Sequence, residues 1–369
     1  MMYLAIVLTL ALPAASFLAS LVCVLLLRGR RKLCLDAEDL EVGVTTARVA
    51  DGPESGLDGP PPAQKDDIFA LFPRRFTWSE VETATANFTS DVIGKGGFST
   101  VYFARLKDSI AASVKLHQRS KRLHLAFRLE LSILLHIHHP YIVRLLGYCD
   151  EQDEQGVLIF EFVPNGSLHD KLHSGAVLPW ARRTSIAYRL AQALDYLHEG
   201  CELQIVHGDI KASNVLLDGD LNPKLCDFGC ACMGFSAAVL PPVELTGSPG
   251  YIDPYYIRTG MVSKKSDVYS FGVLLLVIIT GEEAFDAGAE RLLTAVAGKT
   301  VREAAGGKVT EIVDRRLNGD YDEGEVAIMA AISALCIGEN PSLRPSMADV
   351  VRMMEEKVPS AISTVDCKP

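Results

Sequence analysis

Four polar residues in the second half of the chain are of the types that phosphoryl transfer needs. The run HGDIKASN contains Asp209, Lys211 and Asn214, and the triplet DFG that follows begins with Asp227. One carboxylate can accept the proton of an attacking hydroxyl, while a second carboxylate and an amide oxygen can hold magnesium. A lysine can offset charge on the transferred phosphoryl group. These spacings predict a phosphoryl-transfer site in two loops around the strand-like segment 215–217.

A glycine-rich segment nearer the amino terminus is suited to binding phosphate. Residues 93–101 read IGKGGFSTV, and glycines without a Cβ let backbone amides approach phosphate oxygens closely. Taken alone, this pattern fits a plain hairpin turn equally well. A dinucleotide-binding fold is disfavoured, because its loop opens a helix, whereas VYFA at 101–104 predicts a returning strand.

A lysine and a glutamate are positioned by the two elements that follow this loop. The strand-like run 111–115 ends on Lys115, which could pair with nucleotide phosphates, although an isolated lysine is more often a surface charge. Apolar residues between 121 and 137 recur at helical spacing, with Glu130 beside their face. A carboxylate near a buried face needs a partner, and Lys115 is the available one.

Composition excludes several classes of protein. The chain has 369 residues, with 36 Lys and Arg against 46 Asp and Glu, and its net charge of −10 argues against nucleic-acid binding. An apolar content of 49% allows a sizeable core, which excludes global disorder. The nine cysteines follow no paired framework, as expected in a reducing compartment.

The amino-terminal segment predicts a membrane anchor. Residues 4–27 carry no charge and would span about 36 Å as a helix, against a hydrocarbon core of about 30 Å. Four basic residues follow between 28 and 32, which places the rest of the chain in the cytosol. A cleaved secretory signal is the alternative. The expected divisions are a short extracytosolic end at 1–3, the transmembrane helix at 4–27, and a basic stop and acidic Pro/Gly linker at 28–75.

The loops described above resemble those of eukaryotic protein kinases, and within them the chain is similar to plant receptor-like kinases. Further matching stretches are FTWSEVETATANF, LLGYCDE, LIFEFVPNGSL, KSDVYSFGVLL, EIVDRRLNGDYD and NPSLRPSM. The resemblance implies an α+β, bilobal kinase fold over 76–357, preceded by the single transmembrane helix. Its small, mostly β N-lobe would end at about residue 163, the mostly α C-lobe would follow, and 358–369 would be a tail.

The resemblance also implies roles for the polar cluster. Asp209 would be the catalytic base and Lys211 would contact the γ-phosphate of ATP. Asn214 and Asp227 would bind Mg²⁺, or Mn²⁺ in its place. Asp267 would cap its own helix and bind the backbone of the catalytic loop.

A second set of residues would hold the nucleotide. Lys115, tied to Glu130, would hold the α- and β-phosphates under the glycine-rich loop. The backbone of Glu161 and Val163 would bind the adenine edge, with Leu216 beneath the ring. The loop residues of this ATP site are Ile93, Gly94, Lys95, Gly96, Gly97, Phe98, Ser99, Thr100 and Val101.

Two departures from the family pattern affect these expectations. Gly208 stands where an arginine usually precedes the catalytic aspartate and pairs with a phosphorylated activation loop, so the chain is of the non-RD type. Activation-loop phosphorylation is therefore predicted not to be the main switch. Tyr255 replaces the glutamate that normally pairs with the arginine matching Arg344. That arginine needs another acceptor or solvent.

Two functions follow from these patterns. The first is an active, membrane-anchored serine/threonine kinase that transfers the γ-phosphate of ATP to protein substrates. It would act at the plasma membrane, with its catalytic domain in the cytosol, beside a membrane receptor or co-receptor. The alternative is a pseudokinase-like scaffold that binds nucleotide or partner proteins, supported by the clustering of Ser113, Gly208 and Tyr255 in one chain.

Overall fold

A six-stranded sheet forms the first part of the structure, a computed structural model that describes residues 73–173, 175–234, 247–302 and 309–363. Strands rich in β-branched and aromatic residues, such as STVYFAR, build it in the order β1-β5-β6-β4-β3-β2. All its pairs are antiparallel except β1 with β5. The strands are β1 (Arg74–Arg75), β2 (Val92–Lys95), β3 (Ser99–Arg105), β4 (Ala111–His117), β5 (Leu145–Gln152) and β6 (Gln155–Glu161).

The helix α2, Lys121–Leu134, packs against this sheet through the face that the apolar spacing predicts. Phe127, Leu131 and Leu134 are buried, and so is Glu130, which lies beside them. The helix ends three residues before the predicted limit at 137. Pro140 follows shortly after, and the residue before a proline disfavours helical backbone.

A capping box begins helix α1, Trp78–Ala84, as the spacing of Thr77 and Glu80 indicates for this segment. The Glu80 amide donates to Thr77 Oγ1 at 3.2 Å, and the Thr77 amide donates to Glu80 Oε2 at 3.0 Å. The strand Arg74–Arg75 lies before this helix and pairs with β5. The sheet therefore begins before residue 76, the predicted start of the domain.

The rest of the structure is mainly helical and surrounds one buried helix. This helix, α6, contributes a continuous apolar run, and its residues from Phe271 to Ile279 are all buried. The α+β bilobal arrangement expected from the sequence is therefore confirmed. The helices are α3 (Leu168–His173), α4 (Trp180–Asp195), α5 (Pro254–Thr259), α6 (Lys264–Thr280), α7 (Leu293–Arg302), α8 (Glu323–Cys336), α9 (Met347–Lys357) and α10 (Pro359–Ser363).

Short strands in this second region carry the loops of the candidate site. The strands β8 (Val215–Leu217) and β9 (Pro223–Leu225) form an antiparallel hairpin, as do β11 (Phe285–Asp286) and β12 (Arg291–Leu292). The strands β7 (Ile205–Val206) and β10 (Cys232–Met233) pair across the candidate site.

The chain ends are described only in part. Val358 and Ala361 are buried against the helical region, so part of the predicted tail 358–369 packs on it. The predicted transmembrane segment 4–27 lies outside the described residues, as does the linker up to residue 72. Within the described ranges, no helix has both the length and the apolar character needed to cross a bilayer.

Candidate active site

The glycine-rich segment is the turn of the β2–β3 hairpin. The Gly96 amide donates to the Ser99 carbonyl oxygen at 2.9 Å, which closes the turn. The predicted returning strand is confirmed, since residues 101–104 lie within β3. Phe98 is exposed at the tip, and Gly97 has open space where a Cβ would lie. The hairpin therefore presents backbone amides at its tip, which is compatible with both the phosphate-binding loop and the plain turn.

Lys115 is the centre of a three-residue charge cluster. Its Nζ donates to the two carboxylate oxygens of Glu130 at 2.7 and 3.0 Å and to Asp227 Oδ1 at 2.9 Å. Burial alone would lower the pKa of Lys115, but the two carboxylates raise it above its ordinary value. Burial likewise opposes ionisation of Glu130, whose pKa is nevertheless lowered by Lys115 and His117. The predicted pairing of Lys115 with Glu130 is confirmed, although β4 continues past Lys115 to His117.

His117 is a member of this cluster that the sequence reasoning missed. Its Nε2 lies 3.4 Å from Glu130 Oε2, and its Nδ1 lies 3.3 Å from the Gly156 carbonyl oxygen. Both partners are acceptors, so the ring can donate to them from either nitrogen. Strand alternation was the available signal, because residues two apart on β4 share one face of the sheet.

Asp209 lies in a dense hydrogen-bond network formed by the catalytic loop. Lys211 Nζ donates to Asp209 Oδ2 at 2.7 Å. The Asn214 side-chain nitrogen donates to the Asp209 carbonyl oxygen at 2.9 Å and to Oδ2 at 3.1 Å. Because this nitrogen faces Asp209, the Asn214 amide oxygen is left as the ligand-bearing end of the side chain.

Ser248 joins the same network from 39 residues further along the chain. Its Oγ donates to Asp209 Oδ1 at 2.8 Å and accepts from Lys211 Nζ at 2.8 Å. The predicted base and lysine are therefore bridged by a hydroxyl at a fixed position. The position of Ser248 in the sequence does not by itself indicate this contact with Asp209.

Asp227 belongs both to the Lys115 charge cluster and to the predicted pair of metal ligands. Its backbone φ of 64° places it in the left-handed region, which turns the side chain toward Lys115. Partial loss of solvent would raise its pKa, but the Lys115 ammonium lowers it to about 2. The Cys226 amide donates to the Asn214 carbonyl oxygen at 2.9 Å. This backbone hydrogen bond brings the segments that carry the two predicted metal ligands, Asn214 and Asp227, side by side. An ionised carboxylate with an amide oxygen is a donor set that suits Mg²⁺.

Asp267 holds the catalytic loop from behind. Its carboxylate accepts the backbone amides of His207 and Gly208 at 2.8 and 2.9 Å, and it contacts His198 Nε2 at 2.9 Å. The predicted contact with the loop backbone is confirmed. The predicted capping role is wrong, because Ser263 is the N-cap of α6 and Asp267 lies one turn inside the helix.

Four buried side chains connect the sheet to the helical region beneath this site. Leu134, Leu145, His207 and Phe228 are all buried, and the rings of His207 and Phe228 lie 4.7 Å apart. His207 Nε2 also lies 3.1 Å from the Cys226 carbonyl oxygen, which orients the ring. Packing therefore links α2 to the loop that carries Asp227.

The predicted adenine contacts lie where the sheet meets the helical region. The Glu161 amide donates to the Arg144 carbonyl oxygen at 3.0 Å, so this N–H is not available to a nucleotide. The Glu161 carboxylate pairs with Lys224 at 2.8 Å. Val163 follows in the connection to α3, and Leu216 lies in β8 between the two loops. The side chain of Leu216 is half-buried, as its predicted place beneath a ring requires.

The two departures from the family pattern have structural explanations. Gly208 has a φ of 79°, and a Cβ there would lie 2.7 Å from the Cys230 carbonyl oxygen. An arginine would be strained at this position. Arg344 has another acceptor in place of the missing glutamate, since its guanidinium forms two bonds with Asp253, at 2.7 and 2.9 Å. The expectation that Arg344 finds another acceptor, and not solvent, is therefore confirmed.

Comparison with known proteins agrees with this geometry. Residues 89–354 match the family described as Protein kinase domain. The chain is 52% identical over 335 residues to "Salt tolerance receptor-like cytoplasmic kinase 1" of Oryza sativa subsp. japonica, an alignment that covers 88% of this chain and 91% of that protein. It is 46% identical over 309 residues to a probable receptor-like protein kinase of Arabidopsis thaliana, covering 79% and 90%.

A longer Arabidopsis thaliana protein matches only in part. This is a probable LRR receptor-like serine/threonine-protein kinase, 40% identical over 293 residues, which are 78% of this chain and 33% of that protein. The shared region is therefore one portion of the larger relative.

Proposed function

The chain belongs to the protein kinase family, and from this premise we propose that it is an active, non-RD serine/threonine kinase. It transfers the γ-phosphate of ATP to hydroxyl groups of protein substrates, with Mg²⁺ or Mn²⁺ as the cation. The observation that carries this proposal is the shared hydrogen-bond network of Asp209, Lys211 and Ser248. The name of the longer Arabidopsis relative, a serine/threonine-protein kinase, agrees with the substrate class.

Asp209 is the proposed base because its carboxylate is both oriented and charge-compensated. Lys211 and Ser248 hold its two oxygens in place, so a substrate hydroxyl that displaces or joins the Ser248 contact meets a preorganised acceptor. The Lys211 ammonium, 2.7 Å from this carboxylate, stabilises negative charge on the phosphoryl group as it moves.

Lys115, Glu130 and Asp227 form the proposed nucleotide side of the site. Glu130 is buried and fixes the ammonium of Lys115, which is the group proposed to hold the α- and β-phosphates. Asp227 and the Asn214 amide oxygen would hold Mg²⁺, which neutralises charge between the phosphates when it is bound. Residues 93–101 would cover the phosphates, while Glu161, Val163 and Leu216 would bound the adenine.

Regulation by an activation-loop phosphate is proposed to be secondary. Gly208 provides no guanidinium for such a phosphate, and its backbone conformation disfavours any side chain. Ser248 is unsuited to carrying a phosphate in the active form, because two added charges would face the Asp209 carboxylate at hydrogen-bond distance.

A membrane location remains part of the proposal. Residues 4–27 would anchor the chain in the plasma membrane, with the kinase domain in the cytosol beside a receptor or co-receptor. Carbonate extraction of membranes should retain the full-length protein and release a variant lacking residues 4–27. Mass spectrometry of the amino terminus separates an anchor from a cleaved signal, since only the signal is removed.

The decisive experiment is autophosphorylation of the full-length protein with Mg²⁺ and ATP. Phosphatase-treated wild type should transfer phosphate, whereas Asp209→Asn and Asp227→Ala should not, although both remain folded. Loss of transfer after phosphatase treatment would contradict the proposal that an activation-loop phosphate is secondary. No transfer from folded wild type that still binds ATP would favour the scaffold instead.

A further inference from the structure

A cluster of three potential metal ligands lies apart from the residues assigned to catalysis. It consists of His169 and His173 on helix α3 and Glu283 in the loop after α6. One ligand atom from each residue lies within 4.8 Å of the other two. The side chains of His169 and Glu283 are 40% and 57% exposed, so an ion can reach them from solvent.

Helix geometry places the two histidines together. Residues four apart lie on one face of a helix, and the two imidazole rings are 4.5 Å apart. His173 Nδ1 lies 2.8 Å from the His169 carbonyl oxygen, to which it donates. This contact fixes the tautomer of His173 with its Nε2 free of a proton, the state in which imidazole binds a metal.

The end of helix α6 brings the carboxylate to this face. Gly281 terminates the helix in the left-handed conformation, with a φ of 67°, and its surroundings have no room for a Cβ. The Glu282 amide then donates to Thr280 Oγ1 at 3.1 Å, and the next residue, Glu283, has its carboxylate near His169 on α3. The ligand is thus positioned by a helix end rather than by a long free loop.

The spacing between ligands is too large for direct bonding and suits an intervening ion. His169 Nε2 lies 4.0 Å from Glu283 Oε1, beyond hydrogen-bond distance. A tetrahedral ion with bonds of about 2.1 Å needs its ligands about 3.4 Å apart, which small side-chain rotations would provide. Two imidazole nitrogens and one carboxylate are a donor set that favours zinc over magnesium or calcium.

We propose that His169, His173 and Glu283 form a Zn²⁺ site with one coordination position open to solvent. The neighbouring Asp170 is not among the converging ligands, and its Oδ2 accepts from the Ser167 amide at 3.1 Å and from the Ser167 hydroxyl at 2.7 Å. The ion would tie α3 to the end of α6, two elements of the helical region. Binding only to the folded chain would raise its thermal stability.

Titration of the full-length, reduced protein with Co²⁺ in excess Mg²⁺ tests the site. Co²⁺ gives visible absorption in a tetrahedral site, and Zn²⁺ should displace it at one equivalent. His169→Ala and His173→Ala should each weaken Co²⁺ binding by about tenfold or more, with a smaller loss for Glu283→Gln. Zn²⁺ should raise the melting temperature of wild type and not that of His173→Ala.

His136→Ala is the matched control. His136 is also exposed near a helix end, with its Nδ1 2.7 Å from the backbone carbonyl oxygen four residues earlier, as in His173. Its replacement should leave Co²⁺ binding unchanged. Equal affinity in wild type, His169→Ala and His173→Ala would overturn the site, as would an absorption spectrum typical of thiolate ligands. Melting curves without metal confirm that each variant is folded.

Discussion

Two cations with little solvent exposure, Lys115 and Arg344, pair with carboxylates in different ways. Arg344 forms two bonds with Asp253 and donates further to the carbonyl oxygens of Gly338 and Lys265, and its side chain is 1% exposed. The Lys115 side chain is 13% exposed and its ammonium is shared between the carboxylates of Glu130 and Asp227. The Arg344 guanidinium thus faces one carboxylate and two carbonyl oxygens. The Lys115 ammonium faces two carboxylates.

The difference separates a structural ion pair from one that we propose to be functional. Every direction of the Arg344 guanidinium is occupied by protein, so nothing remains for a ligand. Asp227, by contrast, has a side chain that is 48% exposed and is held by Lys115 at the edge of the cluster. A cation and anions arranged in this way can exchange one protein contact for a phosphate or a metal ion.

The largest expected effect is on catalysis at Lys115. Lys115→Met should lower phosphoryl transfer by about 10²–10³-fold, because a charge-stabilising donor is lost from a preorganised site. The melting temperature should also fall, because the buried Glu130 carboxylate loses its cation, so the rate is expressed per folded molecule. Single-turnover kinetics measures the first effect and calorimetry the second. Lys224→Met removes another lysine paired with a glutamate and should retain most of the activity; equal losses in both variants would show that Lys115 has no special role.

Replacing Arg344 should lower stability without lowering the catalytic rate. Arg344→Met should lower the free energy of unfolding by about 3–5 kcal/mol, because Asp253 is left as an uncompensated buried charge. The rate per folded molecule should stay near that of wild type at low temperature. Urea unfolding measures the loss.

Arg352→Met is the control for Arg344. Its exposed pair with Asp349 should contribute less than about 1 kcal/mol. If the two arginine variants lose equal stability, burial does not distinguish their pairs. A large loss of rate in folded Arg344→Met would instead give this residue a part in catalysis.

Replacing His117, which contacts Glu130, should have a smaller effect on activity than replacing Lys115. His117→Leu removes a hydrogen bond to Glu130 and should raise the KM for ATP by a factor of about five, the equivalent of one such bond. His117→Gln can still donate and should recover part of the affinity. Steady-state kinetics at saturating peptide measures both. No difference between Leu and Gln at this position would indicate a packing role alone.

The smallest effect is the dependence on pH through Asp227. Its pKa is lowered from 3.8 to about 2, so the stability that ionisation contributes is present above about pH 4 and is lost as the pH falls through 2. The difference in unfolding free energy between wild type and Asp227→Asn should therefore be constant near neutral pH. It should shrink below about pH 4 in urea titrations. A change between pH 5 and 8 would mean that another group titrates with this pair.

Local patterns in the sequence were sufficient for much of the fold. The capping box at Thr77 and Glu80 involves residues three apart, and the helix carrying Glu130 follows from apolar spacing within a few turns. The loops with Asp209 and Asp227 were recognised because their residue types and intervals are contiguous in the chain. Each of these features depends on neighbours, for which backbone geometry sets the distance.

Contacts between distant segments were not predictable in the same way. Ser248 reaches Asp209 across 39 residues, and Arg344 reaches Asp253 across 91. The expectation that Asp267 caps its helix was wrong because Ser263, four residues earlier, provides the cap. Sequence spacing does not specify how loops return, so the partner of a polar group over such separations depends on the packing between them.

Residue types and intervals in the two loops and the glycine-rich hairpin were enough to predict phosphoryl-transfer chemistry. Which groups meet depends on the packing of distant segments: His117 with Glu130, Asp253 with Arg344, and Glu283 with the histidines of α3. A buried charge needs a partner of opposite charge or a hydrogen bond, and the sequence pattern indicates this need without indicating which residue meets it. Packing of helices and sheet selects that residue.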